Sequence, residues 1–501
     1  MRRLSILFIS IIVFFNAAVA QQGSKAVPAD FKQFCQSVLE RWNVPGMGVV
    51  VVKDGEVVFA DGFGTTSVER SGTPVTAQTQ FVLASTSKAL TAALLATLVD
   101  EGRVYWDDLV TSHLPDFSLY DEWVTKNFLV KDIMVHKTGF RAYALDDLPH
   151  FGYKRDDLYR IFRHVRPTYA YRTTYAYNNA LFTVTAHIVE KYTNMSWDDA
   201  IVERLFKPLG MNNSTTGNKI GYQTFYTSPT IAKGHRHVRN GNNMTASPRT
   251  DSLSSYNWLS AIAPAGFVVS TAEDMGNWLS MMTQNGIFNG KQVLSKESRE
   301  FLTQPQTIVS IDSTGLYNYA QGWRIEQGRQ GQIIYHTGLA GGYTSLVAMV
   351  PDINMGVAVL TNAGSMTNPQ ATIMRELIEW YRGEDKRDWK QFYVDNYFTP
   401  QTPRTAPTPE PDVAMDKPLT DYTGNYSKED FGTITIHQEG TTLKFKLKEV
   451  DVVLKYRGYD MFAMNIPGVG NVDVTFFRNA DGKVGQLTFN IGDPIGEFIK
   501  K

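Results

Sequence analysis

Ser85 and Lys88 stand three residues apart at the head of a run in which Leu90, Leu94, Leu95 and Leu98 recur at helical spacing. Positions i and i+3 share a helix face, so this spacing predicts that the Ser85 hydroxyl and the Lys88 amine approach each other. A helix N-terminus adds a positive field that favours a developing alkoxide or oxyanion at Ser85. The same field, together with burial, lowers a lysine pKa and lets the neutral amine accept a proton. The chemistry open to such a pair is acyl transfer through a serine ester. Taken alone, the pair reads more simply as an N-cap serine beside a surface lysine. It is, however, the only Ser-x-x-Lys in the chain.

Two further groups lie downstream. Tyr177-Asn178-Asn179 precedes an apolar helical stretch. A tyrosine held near a lysine ammonium drops its pKa and can relay a proton to a leaving group, and the Asn179 amide can hold substrate or orient the lysine. The plain alternative is a tyrosine that only packs. Tyr192-Thr193-Asn194 fits the same pattern but falls where a helix should end. His336-Thr337-Gly338 leads into Leu339 and a strand-like run, Tyr343–Val350. Gly338 permits close approach of backbone to substrate. An edge strand there would offer the Leu339 N–H as half of an oxyanion hole, the Ser85 N–H being the other half. His150-Phe151-Gly152 competes for this role, but Pro149 precedes it and no clear strand follows.

Other chemistries are excluded or left without support. The chain lacks Gly-x-Ser-x-Gly, His-Glu-x-x-His and a glycine-rich phosphate loop after a strand. His235 and His237 sit in a polar, Asn-rich stretch with no obvious third ligand; they read as a solvated loop, and no metal is expected. Cys35 is the single cysteine, so neither an internal disulfide nor a cysteine metal site can form. A net charge of −1 argues against nucleic acid or an anionic membrane as main partner. The expected partner is a small-molecule or peptide substrate, with no cofactor.

The elements that must position these residues follow from patterning. With 501 residues, 43% of them hydrophobic, the chain can build a large core and more than one domain. Met1-Arg2-Arg3, the apolar run Leu4 to Phe15 and Ala18-Val19-Ala20 read as a cleavable secretory signal over residues 1–20, which predicts a periplasmic or secreted protein. No later stretch is long and apolar enough to predict a membrane span. Phe31 to Trp42 reads as an amphipathic helix. Val49–Val52 and Val57–Ala60, joined at Asp54-Gly55, read as a hairpin. Helices are predicted from Ser85 to Glu101 and over 178–192, 197–206, 271–283 and 370–382, with strands at 343–350 and 356–360. Strands at both ends with helices between them predict a mixed α/β fold whose sheet joins the ends of a catalytic domain spanning 21–398. Residues 399–418, rich in Pro and Thr, read as a stiff linker, and 419–501 as a small antiparallel, barrel-like β-domain.

In this order, Ser85-x-x-Lys88, Tyr177-x-Asn179 and His336-x-Gly338 resemble the motifs of the serine β-lactamase-related and penicillin-recognising hydrolases of the class C type. The motifs lie 92 and 159 residues apart (177 − 85 and 336 − 177). Phe81-Val82-Leu83-Ala84, His136-Lys137-Thr138-Gly139-Phe140, Pro208-Leu209-Gly210-Met211, Pro264-Ala265-Gly266 and Ser270-Thr271-Ala272-Glu273-Asp274 strengthen the likeness, which covers roughly residues 30 to 385. Tyr422-Thr423-Gly424-Asn425-Tyr426 is similar to lipocalin-like modules appended to some members. The resemblance implies a β-lactamase/transpeptidase-like fold, an antiparallel sheet flanked by helices beside a helical subdomain. It implies Ser85 as nucleophile, Lys88 and Tyr177 in proton transfer (either as primary base), and Leu339 in the oxyanion hole. Members acting on β-lactams usually carry Lys in place of His336; histidine here is similar to esterase and D-aminopeptidase branches. A neutral histidine is a poor carboxylate anchor, so the expected substrate is a carboxylic ester or D-amino-acid peptide. Two alternatives share the motifs: an acyltransferase passing the Ser85-bound group to an alcohol or amine, and a non-catalytic sensor.

Overall fold

The structure, a computed structural model, describes residues 25–240, 243–249, 253–328, 331–364, 368–397, 415, 417–493 and 495–501. The expected leader over 1–20 and most of the Pro-rich stretch lie outside the described residues. Among the described residues no helix is long and apolar enough to cross a membrane.

The valine-rich hairpin forms the heart of the main sheet. Asp54 and Gly55 both take positive φ (53° and 79°), the geometry that turns β1 (Gly46–Lys53) into β2 (Glu56–Gly64). Successive valines of β1 serve opposite faces, as strand geometry requires. Val50 and Val52 join the core under the helices, while Val49 and Val51 join a second core with α1 (Phe31–Arg41) and a helix at Asn368–Arg382. The remaining strands are β3 (Thr307–Ile311), β4 (Gly315–Tyr319), β5 (Arg324–Gly328), β6 (Gly331–Ala340), β7 (Tyr343–Val350) and β8 (Met355–Thr361). Their order is β3-β4-β5-β6-β7-β8-β1-β2, all antiparallel, so the sheet does join the two ends of this region.

Helices cover the inner face. α2 (Ser87–Asp100) is apolar nearly all round and correspondingly buried. α3 (Phe182–Thr193) packs beside it and ends at Asn194, whose left-handed φ of 53° closes the helix. α4 (Ala272–Thr283), capped by the Thr271 hydroxyl accepting from Asp274 N–H at 3.1 Å, lies on β1 and β8. The single helix expected over 197–206 is an α-turn, Trp197–Ile201, followed by a π-helical turn, Val202–Phe206.

His235 and His237 correct the expectation of a solvated loop. They stand on a strand, His235–Asn240, paired with Asn243–Pro248, and both are buried. His235 Nδ1 donates to the Asn362 carbonyl at 2.9 Å and Nε2 accepts from Val68 N–H at 3.2 Å, which occupies both ring nitrogens in structural bonds. Among the described residues no cluster of three or more metal-ligating side chains occurs.

The C-terminal region is a closed antiparallel barrel of eight strands running from Gly424–Lys428 to Phe498–Lys500. Tyr426, Phe445, Phe462, Phe476, Phe489 and Phe498 fill its interior, so this barrel is a packed core. It seats on the helical subdomain through Phe151 against Phe489 and the Tyr153 hydroxyl donating to Phe431 O at 2.7 Å.

Candidate active site

Ser85 does not begin the α-helix. It lies in a single 3-10 turn, Ala84–Thr86, just ahead of α2, and its side chain caps neither element. Ala84 sits at φ +49°, a left-handed conformation that costs a non-glycine residue about 1–3 kcal/mol. Three bonds hold the turn in that state. Leu83 N–H donates to Val268 O at 2.9 Å, and the Leu83 carbonyl accepts from the Thr86 and Ser345 hydroxyls at 2.8 and 2.6 Å. The kink leaves Ser85 half-buried while its neighbours on both sides are buried.

Lys88 is wholly buried, with Nζ 3.2 Å from Ser85 Oγ, 2.6 Å from Asn179 Oδ1 and 2.9 Å from the Ala265 carbonyl. Burial holds its amine well below the ordinary lysine range; Arg324 acts in the same direction and Asp146 against it. A neutral amine has two N–H donors and one lone pair. In that form Asn179 and Ala265 would take both donors, leaving the lone pair free to accept the Ser85 hydroxyl proton. Asn179 is itself oriented, because its Nδ2 donates to Asp146 Oδ2. Asp146 is buried, and desolvation pushes its carboxyl up to about 7 against the pull of Asn179 and Lys88.

Tyr177 closes the other side. Its ring lies under Lys88 Nζ at 4.7 Å, and its hydroxyl is hydrogen-bonded to Ser85. The expectation that a nearby ammonium lowers this tyrosine is reversed: burial raises its pKa, and the Ser85 bond and Arg324 only oppose that. The reason is the depth at which the tyrosine itself is buried, which penalises the phenolate. His136 packs on Tyr177 with ring centroids 4.3 Å apart, and its Nδ1 accepts from Asn178 N–H at 3.1 Å.

His336 is buried behind Tyr177, ring centroids 6.3 Å apart. Its Nδ1 donates to the Thr337 carbonyl at 2.7 Å and its Nε2 accepts from the Tyr319 hydroxyl at 2.9 Å. Both ring nitrogens are therefore spent. Burial, then Arg324, then Lys88 hold its pKa well below the usual histidine value. The fixed positive charge of this cleft comes instead from Arg324, whose guanidinium lies 5.9 Å from the Tyr177 ring and 6.0 Å from the Tyr319 ring. It is half-buried, and among the described residues no carboxylate pairs with it.

β6 is an interior strand, not the edge strand expected. Its pairing with β5 stops at Tyr335, however, while its pairing with β7 continues to Ala340, so His336 to Ala340 run on with one flank free. Gly338 is pressed against the serine turn: a Cβ there would stand 2.2 Å from Leu83 O and 3.0 Å from the Ala84 Cβ. Leu339, the next residue, is exposed.

Thus Ser85, Lys88, Tyr177 and Asn179 meet directly, with His336, Gly338 and Leu339 around them. The competitors fall elsewhere. Tyr192 bonds His113, and His150 stacks on Trp258 and bonds the Ser254 hydroxyl. Sequence reasoning missed Arg324, Tyr319 and Asp146. It quoted His136 and Ala265 within motifs but gave them no role. The available signal for Arg324 was a charge between Trp323 and Ile325, on the strand that pairs with the one carrying His336.

A family model for beta-lactamases matches residues 31–378, and a model of a domain of unknown function matches residues 408–496. An unguisins hydrolase of Aspergillus campestris is 28% identical over 443 residues, spanning 81% of this chain and 77% of that protein. Penicillin-binding protein 4 of Amycolatopsis lactamdurans is 28% identical over 347 residues, spanning 67% and 85% respectively. The solved octameric penicillin-binding protein homologue from Pyrococcus abyssi matches with a TM-score of 0.59 at 20% identity, over 94% of this chain and 99% of that one. At that identity the likeness shows the fold alone.

Proposed function

Since the chain belongs to the beta-lactamase family and is a serine hydrolase of the penicillin-binding-protein-like kind, we propose that it cleaves an ester or amide through an acyl-enzyme on Ser85. Export to the periplasm or beyond is part of this reading and rests on the leader-like pattern of residues 1–20. The observation that carries the proposal is the buried Lys88 amine, donating to Asn179 and Ala265 while facing Ser85 Oγ at 3.2 Å.

In the proposed first step, Lys88 Nζ takes the Ser85 proton as Oγ attacks the substrate carbonyl carbon. The oxyanion accepts from the Ser85 and Leu339 N–H groups. As the carbonyl carbon parts from its oxygen or nitrogen leaving group, Tyr177 donates its hydroxyl proton to that group and recovers one from the Lys88 ammonium. The high Tyr177 pKa suits this part, since the tyrosine is a stored proton and not a resting phenolate. Water then attacks the ester carbon, its proton returns to Ser85 through the same groups, and the acid is released. Arg324 supplies the cation that His336 does not, which favours substrates carrying an anionic group beside the scissile bond, such as a D-amino-acid peptide with a free carboxylate.

The test is a panel of p-nitrophenyl esters, D-amino-acid anilides and a chromogenic cephalosporin on the purified protein and on Ser85→Ala. Turnover of an ester or anilide that vanishes in Ser85→Ala, with a fluorophosphonate adding mass at Ser85 alone, is the expected outcome. Activity retained by Ser85→Ala, or labelling elsewhere, sinks the assignment.

A further inference from the structure

The C-terminal barrel meets the rest of the chain beside the groups that hold Lys88. Arg141 to Asp147 form a loop in which two non-glycine residues, Tyr143 and Leu145, take left-handed φ of 59° and 67°. Such residues persist only where their surroundings over-determine them. On one side the loop is stitched to the Tyr177 segment: Tyr143 N–H donates to Tyr177 O at 2.6 Å, Asn178 Nδ2 donates to Ala144 O at 3.0 Å, and Asn179 Nδ2 donates to Asp146. On the other side the anchors belong to the barrel. Leu145 N–H donates to Asp493 Oδ2 at 2.8 Å. Arg141 forks onto the same carboxylate, Nε to Oδ1 at 2.8 Å and Nη2 to Oδ2 at 3.0 Å, and Nη2 also reaches the Ile491 carbonyl at 2.9 Å.

The Asp493 side chain is fully buried in this contact, so its charge is committed to Arg141 and the Leu145 amide. The barrel interior is filled by aromatic side chains and offers its neighbours a surface, not a chamber. The other polar ties across the interface, the buried Tyr153 hydroxyl on Phe431 O among them, do not touch the 141–147 loop. Lys448 pairs with Asp157 where both side chains keep some exposure.

We propose that Asp493 is a positioning residue for the catalytic lysine: by fixing the 141–147 loop it sets Asp146, Asp146 orients the Asn179 amide, and Asn179 holds Lys88, so the barrel completes the active site. The inference rests on the reading of Lys88 as the base. Its logic is directional. Asn179 can present Oδ1 to Lys88 only while Nδ2 has an acceptor, and Asp146 is that acceptor. If the loop slackens, Asn179 loses its orientation and water reaches Lys88. A hydrated lysine regains affinity for its proton, so the neutral form needed for acylation appears only at higher pH.

The test compares Asp493→Ala, Asp493→Asn and Arg141→Ala with the unaltered full chain, measuring against pH the rate at which a fluorophosphonate phosphonylates Ser85 with loss of fluoride. The expected result is a fall of roughly 10–100-fold at neutral pH, the scale on which small misplacements from a distant change act, with the acid limb of the profile displaced to higher pH. Asp493→Asn, which keeps an acceptor for Leu145 N–H, should fall between Asp493→Ala and wild type. Lys448→Ala loosens the same interface away from the loop and should leave rate and profile unchanged. Folded Asp493→Asn and Arg141→Ala proteins with wild-type rates and an undisplaced profile would overturn the inference; should Asp493→Ala fail to fold, these two still decide it. If the unaltered protein does not label at Ser85 at all, the proposed function fails instead, and the two failures are thereby told apart.

Discussion

Gly338→Ala tests how closely the serine turn is held against β6. On an open strand, replacing glycine by alanine stabilises by about 0.5–1 kcal/mol, because glycine loses more freedom on folding. At Gly338 the added Cβ would meet Leu83 O at 2.2 Å, the Ser345 hydroxyl at 2.4 Å and the Ala84 Cβ at 3.0 Å. Carbon–oxygen contacts settle at about 3.3 Å or beyond, so strand or turn must give by about 1 Å. The groups that would move are the ones locking Ala84 in its left-handed state, since Ser345 donates to that same Leu83 carbonyl. Overpacking costs about 1–3 kcal/mol, and the bond lost with it about 1 kcal/mol. A shift of 1 Å in the serine relative to Leu339 should cost on the order of 100-fold in acylation. The assay is kcat/KM on a p-nitrophenyl ester together with thermal unfolding. Gly485→Ala, where nothing lies within 4 Å of the added carbon, is the control and should lose neither stability nor rate. A Gly338→Ala protein with wild-type Tm and wild-type kcat/KM would refute the close packing and the oxyanion geometry built on it.

Three further outcomes are expected. Because burial depresses the Lys88 pKa and the proposed base is its neutral amine, acylation should hold on the alkaline side of that pKa and fall as pH drops through it; Lys88→Met should abolish this limb along with most of the rate, and a surviving wild-type limb would assign it to another group. Arg324→Met should lower kcat/KM by about 10–100-fold for a substrate bearing a carboxylate, the worth of a hydrogen bond to a charged group, and leave a neutral ester nearly unaffected; equal losses on both would remove the anion-anchor role. His336→Lys should lower Tm without creating cephalosporin hydrolysis, since it buries a cation beside Arg324 and Lys88 where Tyr319 now donates to a neutral ring; efficient β-lactam turnover by this variant would contradict that reading.

What the sequence disclosed followed how local each feature is. The Ser85–Lys88 approach needs only one turn of chain, and the Asp54-Gly55 hairpin only two residues, so both were legible. The barrel was legible from alternation, because its strands bury one side each. Ser85 itself was misplaced by a small but consequential margin: the kink at Ala84 is held by Ser345 and Val268, far off in the chain, and no local pattern announces it. Asp493 acts on Arg141 across 352 residues, beyond the reach of any spacing argument. His235 and His237 misled for a related reason. An Asn-rich stretch looks solvated until the hairpin it belongs to is laid against Asn362 and Val68. The direction of the Tyr177 shift depended on how deeply Tyr177 itself is buried, which residue types cannot convey.

The charges of the site can be followed one step further. Four basic groups crowd one small volume: Lys88, His136, His336 and Arg324. A guanidinium does not give up its proton in a protein, so Arg324 stays charged, and its field disfavours a second cation on each of the other three. An anionic substrate group arriving at Arg324 would cancel part of that field and pull the Lys88 pKa back upward. For all three groups, however, burial is the larger cause and Arg324 a lesser one. Substrate binding also expels water from the cleft and deepens that burial. On the proposed reading of Lys88 as the base, that deeper burial opposes the upward pull of the anion on its amine.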